Sequence, residues 1–243
     1  MMAAEPFEGN EEERGFGERL TRKEQIIEVA VFLLLIVPTM ILAYFVTQRG
    51  DATGFTVLAV ATILRDLSLV ALILFFVWRN GEGTERIGWT YKHEWADMAL
   101  GIVLFFPLLF LISALNVLFQ RLGLSGPQPG AMQELLPHGT GQFVLAVVLV
   151  IVVAISEEVI FRGYLIRRFS SMFQSVGLAV LFSAVVFAFG HGYQGGAGVF
   201  TIGVVGLVFG LIYVWRGSLM APVVMHLLQN FVSIVVVPYM LPR

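Results

Sequence analysis

Ala146-Val147-Val148-Leu149-Val150-Ile151-Val152-Val153-Ala154-Ile155-Ser156-Glu157-Glu158-Val159-Ile160-Phe161-Arg162 is an apolar run that ends in two adjacent carboxylates and an arginine. An uninterrupted stretch of this kind reads as a helix in hydrocarbon, where about 20 apolar residues make one crossing. Charges inside such a helix are costly and mark a use for them. The segment therefore points to a membrane-embedded helix and to chemistry at its charged end.

The rest of the chain supplies the same solvent. Hydrophobic residues make up 58%, charged residues only 13%, and mean hydropathy is +0.85, which describes a polytopic membrane protein. A formal net charge of -2, with the basic residues at the ends of apolar runs rather than in a stripe, excludes a nucleic-acid partner. With no cysteine, disulfides, thiolate catalysis and Cys-ligated zinc are excluded, and the compartment stays undecided.

Apolar runs of roughly spanning length occur at residues 26–46, 56–77, 97–119, 142–162, 176–190, 200–215 and 219–239. The expected fold is an all-α transmembrane bundle of about seven helices. Residues 1–25, rich in Glu, Gly and Arg, are expected to remain a disordered cytoplasmic tail, with Thr21 and Glu24 as a capping box at its end. Residues 26–120 then form the N-terminal transmembrane helices and residues 142–239 the catalytic core. The first run is too long for a signal-peptide core and has no cleavage site after it, so it is expected to stay as an anchor.

Arg14, Arg19, Arg22 and Lys23 precede the first run, Arg79, Arg86 and Lys92 follow the second, and Arg162, Arg167 and Arg168 follow the fourth. The loops on the opposite side hold only Arg49, Arg121 and Arg243. The positive-inside rule then places the N-terminus in the cytoplasm, and an odd helix count places the C-terminus outside. Gly203, Gly206 and Gly210 include a Gly-x-x-x-Gly spacing that lets helices approach closely in lipid.

Glu157 and Glu158 point about 100° apart on a helix and cannot do the same job. Glu158 has Arg162 four residues later, the favourable order for an ion pair. Glu157 has no local cation, which frees it for proton traffic. His191 ends the fifth run one turn after Phe187, and His226 and Asn230 share a face of the seventh. Taken alone, His191 reads first as hydrogen-bonding glue between helices, and the pair His226 and Asn230 reads equally as glue or as chemistry. At about 1.5 Å of rise per residue, Glu157 and His226 lie roughly 15 Å from the cytoplasmic ends of their helices, and His191 roughly 20 Å. They can share one layer.

A carboxylate, two imidazoles and a carboxamide in one pocket suit amide hydrolysis. One carboxylate–imidazole pair can activate water, and the other imidazole and the amide can donate to an oxyanion. Ser156 has no partner base and no nucleophile-elbow glycines, so covalent catalysis is not expected.

Glu157-Glu158-x-x-x-Arg162, Phe187-x-x-x-His191 and His226-x-x-x-Asn230, in that order, resemble the CAAX protease and bacteriocin-processing family, also called Abi. Its eukaryotic members include the Ras-converting prenyl protease. The resemblance covers roughly residues 142–239. It implies an intramembrane endopeptidase in which Glu157 and His191 activate water, His226 and Asn230 stabilise the oxyanion, and Glu158 and Arg162 support the site. The expected substrate is a peptide or membrane-associated protein, cut in CAAX-type processing and lipidated if the eukaryotic members are a guide. The alternative is a non-catalytic membrane protein of this fold, acting in bacteriocin self-immunity or as a partner-binding scaffold.

No obligatory metal is expected. Glu157, His191 and His226 have the composition of a three-ligand zinc site, which is the alternative, but no His-Glu-x-x-His helix is present and His93-Glu94 fails that pattern. Arg65-Asp66 reads as a helix break or a pair with another helix, and Arg167 and Arg168 as anchors at lipid headgroups. A transporter would show an inverted repeat, and none is visible. With no transit peptide or retrieval signal, a prokaryotic plasma membrane is the expected location.

Overall fold

The computed structural model describes residues 20–49, 54–90, 93–124 and 136–236. Most of the tail, Lys92, the last three residues of the seventh run and Arg243 lie outside the described residues. Among the described residues, seven apolar helices follow one another: α1 (Arg22–Arg49), α2 (Phe55–Arg79), α3 (Glu94–Arg121), α4 (Gly139–Phe173), α5 (Val176–Phe189), α6 (Gly195–Arg216) and α7 (Met220–Val236). Five contain stretches long and apolar enough to cross a membrane, while α5 and α7 are shorter. The chain is an integral membrane helical bundle.

α1 starts at Arg22, four residues before the hydropathy of the run predicts. The capping box explains the early start: Thr21 N donates to Glu24 Oε2 at 2.8 Å and Glu24 N to Thr21 Oγ1 at 3.3 Å, satisfying two amides that a helix N-terminus otherwise leaves open. Glu28, near the start of α1, is buried. α4 also overruns its expected end at Arg162 and continues to Phe173. Arg65 and Asp66 do not break α2, which stays helical through both.

Neighbouring helices alternate in direction, and their basic ends gather on one side. Glu28 Oε1 meets Arg79 Nη2 at 2.6 Å and accepts from Asn80 Nδ2 at 2.8 Å, while its Oε2 lies 3.2 Å from Arg168 Nη2. Glu82 takes Arg168 at 2.8 Å and Arg167 at 3.4 Å, and Arg216 Nε meets Asp97 Oδ1 at 2.7 Å. Arg168 is therefore buried in a network that ties α1, α2 and α4 together, not set out at headgroups as the sequence suggests. Arg167 is held by Glu82 and by the Arg86 carbonyl. Trp78, Trp95 and Trp215 stand exposed at this same end, as aromatic residues do where a membrane meets water.

The apolar core joins α1, α2, the second half of α4, α5 and α6 around Phe32, Ile73, Tyr164 and Phe187, with smaller clusters where α2 meets α4 and where α3 and α6 meet α7. Between helices in lipid the gain is contact rather than water exclusion, so small residues matter. A Cβ at Gly210 would come within 2.9 Å of Val180, and one at Gly206 within 3.1 Å of Phe187. These two glycines bring α6 against α5. α6 ends at Gly217, whose φ of 63° lies in the left-handed region open to glycine.

Candidate active site

Residues Glu158–Ile166 of α4 are wound as a π-helix. Such i→i+5 segments are rare and recur at functional sites. Every residue in this one is buried, and Ser183 of α5 donates to the Phe161 carbonyl at 2.6 Å. Gly163 makes the approach of the loop before α3 possible, because a Cβ there would stand 2.7 Å from the Ile87 carbonyl oxygen. A second π-helical segment, Phe231–Val236, begins directly after Asn230.

Glu158 is fully enclosed. Its Oε1 accepts from Arg162 Nη1 at 2.9 Å and from His226 Nδ1 at 2.7 Å. The guanidinium of Arg162 lies 4.4 Å from the Phe187 ring centre and 5.3 Å from that of Phe209, and its Nη2 donates to the Gly206 carbonyl at 3.4 Å. Arg162 is thus held by a carboxylate, a carbonyl and two aromatic faces, which a buried cation needs in place of water.

His226 connects the two glutamates. A carboxylate can only accept, so Nδ1 carries the hydrogen given to Glu158, and Nε2 is turned to Glu157 Oε2 at 3.6 Å. Glu157 keeps 11% of its side chain accessible against 0% for Glu158. Its Oε2 has no hydrogen-bond partner among the described residues, an arrangement that buried polar atoms rarely show without a functional reason.

His191 stands beside this cluster without bonding to it. Its Nδ1 donates to the Phe187 carbonyl at 2.9 Å, a bond that fixes the tautomer and leaves Nε2 as an acceptor when the ring is neutral. The Phe187 ring is shared: its centre lies 4.8 Å from that of His191 and 6.1 Å from that of His226. Asn230 follows His226 by one helical turn and makes no hydrogen bond to the other site residues. The structure therefore brings Glu157, Glu158, Arg162 and His226 into direct contact and sets His191 beside them across the Phe187 ring, with Asn230 one helical turn beyond His226.

Two contributors were not assigned to the site from the sequence. Phe209 packs under Arg162 and His226, and one phenylalanine among 21 carries no signal of that role. Asp66 is buried on α2 within electrostatic reach of Glu157 and His226. It pairs with its own neighbour Arg65, at 2.8 Å, rather than with another helix. The charge doublet in an apolar run was the signal that could have placed it.

A metal held by Glu157, His191 and His226 requires the three side chains to converge on one point. No group of three or more His, Asp or Glu side chains among the described residues does so. The residues as arranged do not fit that zinc site.

Residues 139–232 match the family model described as Rce1-like, type II CAAX prenyl endopeptidase Rce1-like. No curated protein and no solved structure matches the chain. The matched residues hold Glu157, Glu158, Arg162, His191, His226 and Asn230, whereas α1, α2 and α3 lie outside them. Over residues 139–232 the chain is similar to that family of CAAX prenyl endopeptidases.

Proposed function

We propose that the protein is an intramembrane endopeptidase that hydrolyses a peptide bond with water activated at Glu157. The observation that carries this reading is the division between the two glutamates. Glu158 is closed off by Arg162 and His226 with none of its side chain accessible, whereas Glu157 keeps 11% of its side chain accessible.

Glu157, assisted by His191 Nε2, takes a proton as the water oxygen bonds to the scissile carbonyl carbon and the carbonyl pair moves to oxygen. His226 donates Nε2–H to that oxyanion, with Asn230 Nδ2 as a second donor. As the carbon–nitrogen bond breaks, Glu157 returns its proton to the leaving amine, and the carbonyl re-forms as a carboxylic acid. Glu158 and Arg162 position His226 and touch no substrate. No step uses a metal.

The substrate is a peptide or membrane-associated protein processed in CAAX fashion, a reading supported by the description of the matched family, and the setting is a prokaryotic plasma membrane. Purified protein in detergent, given a quenched peptide library, should cleave it without forming a covalent protein adduct by intact mass. Ser156→Ala should retain activity. An acyl adduct at Ser156, or activity lost only in that variant, would replace this mechanism with covalent catalysis.

A further inference from the structure

A groove of about 560 Å³ opens between α1 and α2 at the basic end of the bundle, and none of its lining residues belongs to the hydrolytic site. Glu24, Ile27, Glu28 and Val31 recur every three to four residues, so α1 turns one face to it. Phe76 and Arg79, three apart, do the same on α2.

The mouth of the groove is polar, and its charges are unequally committed. Glu28 is spent: its Oε1 meets Arg79 and Asn80, and its Oε2 meets Arg168. Glu24 is not. Its Oε2 closes the capping box with Thr21, while its Oε1 has no hydrogen bond and its carboxylate no ion pair among the described residues. The Arg79 side chain is 48% exposed and bonds through Nε and Nη2, so Nη1 is uncommitted among the described residues. Arg79 also lies within electrostatic reach of Glu24. One groove thus presents a free carboxylate oxygen and a half-exposed guanidinium side by side.

Below the mouth the walls are apolar. Ile27 and Val31 are exposed on the outer surface of the bundle, where the bilayer holds no water to cover them. From Glu24 to Val31 is seven residues, about 10 Å at 1.5 Å of rise per residue. Trp78 stands exposed at the same end, at the level where a membrane meets water. Charge at the headgroup level and hydrocarbon beneath it is the order of groups in a phospholipid.

We propose that this groove binds a phospholipid whose headgroup carries a primary ammonium beside its phosphate, as in phosphatidylethanolamine. The ammonium donates to Glu24, the phosphate accepts from Arg79, and one acyl chain runs along Ile27, Val31 and Phe76. A choline headgroup has no N–H to donate to Glu24. A glycerol headgroup brings a phosphate but no cation, and Glu24 repels it. The site is independent of the protease reading and gives α1, outside the matched residues, a ligand of its own.

The test is native mass spectrometry of the full chain in detergent. Phosphatidylethanolamine, phosphatidylcholine and phosphatidylglycerol with identical acyl chains are supplied in equal amounts. One phosphatidylethanolamine should be retained per chain, favoured over each of the others by about fivefold, the upper end for one exposed ion pair. Glu24→Gln should make retention of the ethanolamine and choline lipids equal. Glutamine closes a capping box as glutamate does, so the start of α1 is kept. Ile27→Trp, which fills the groove from a lipid-facing position, should remove the retained lipid whatever its headgroup.

Equal retention of the ethanolamine and choline lipids by the unmodified protein overturns the proposal. So does stronger retention of phosphatidylglycerol, or an ethanolamine preference that survives Glu24→Gln. A dimer mass that disappears in Ile27→Trp would show a second copy of the chain covering the groove instead, and overturns it as well.

Discussion

His226 Nδ1 lies 2.7 Å from Glu158 Oε1, the same oxygen that Arg162 Nη1 reaches at 2.9 Å. One carboxylate oxygen thus fixes both the buried cation of α4 and the imidazole of α7, and through that imidazole the direction of Nε2 toward Glu157. The consequence is that stability and site geometry share an atom.

Arg162→Met should uncouple them. It preserves volume but leaves Glu158 without its cation, and breaking one side of a buried pair costs about 3–5 kcal/mol. Unfolding in detergent should register that loss. Glu158→Gln leaves Arg162 as a buried cation without its anion, so it should also destabilise by about 3–5 kcal/mol, and it should lower activity by misdirecting His226.

The network at the basic ends makes a second prediction. Glu28→Ala removes the partner of Arg79, Asn80 and Arg168 at once, and Arg168 is too deeply buried to turn to water. Destabilisation should be about 3–5 kcal/mol and change little between low and high salt, since buried pairs are weakly screened. Thr21→Ala, which cuts only the exposed capping box, should cost about 1 kcal/mol.

Close helix contacts can be probed without touching charge. A Cβ at Gly101 would stand 2.7 Å from the Ala221 carbonyl oxygen and 2.9 Å from Val224, so Gly101→Ala should push α3 from α7 and destabilise by about 1–3 kcal/mol. Gly206→Ala meets Phe187 at 3.1 Å. Because Phe187 backs Arg162, His191 and His226, this variant should lose more activity than stability, measured by peptide cleavage beside the melting temperature.

Metal use has a direct readout. Cleavage should survive exhaustive chelation, because the proposed proton transfers run through Glu157, His191 and His226 alone. Activity lost on chelation and restored by zinc would require those three side chains to converge in a way this geometry does not show.

Much of this arrangement was legible in the residues because it rests on helical spacing. Glu158 and Arg162 are four apart, and a contact between them follows from the turn of one helix. Thr21 and Glu24 announce the start of α1 for the same local reason. What stayed hidden depends on partners far along the chain. Arg168 read as a headgroup anchor because nothing near it shows that Glu28, 140 residues earlier, is drawn into the bundle beside it. Arg65-Asp66 read as a helix break or a pair with another helix, and the two residues instead pair with each other on an unbroken helix. The π-helical winding of residues 158–166 has no periodic signature. Nor did spacing show that His226 would reach Glu158 while His191 would turn to the Phe187 carbonyl.

The most direct measurement of the role given to Glu157 is peptide cleavage by Glu157→Gln beside the unmodified protein, in one detergent and with melting temperatures recorded. The substitution keeps shape and removes only the ability to take a proton. The predicted result is an unchanged melting transition with cleavage slower by about 10²–10⁴, the range of a lost general base. A Gln variant that cleaves within a few-fold of the unmodified protein would contradict the assignment of Glu157 as the group that activates water.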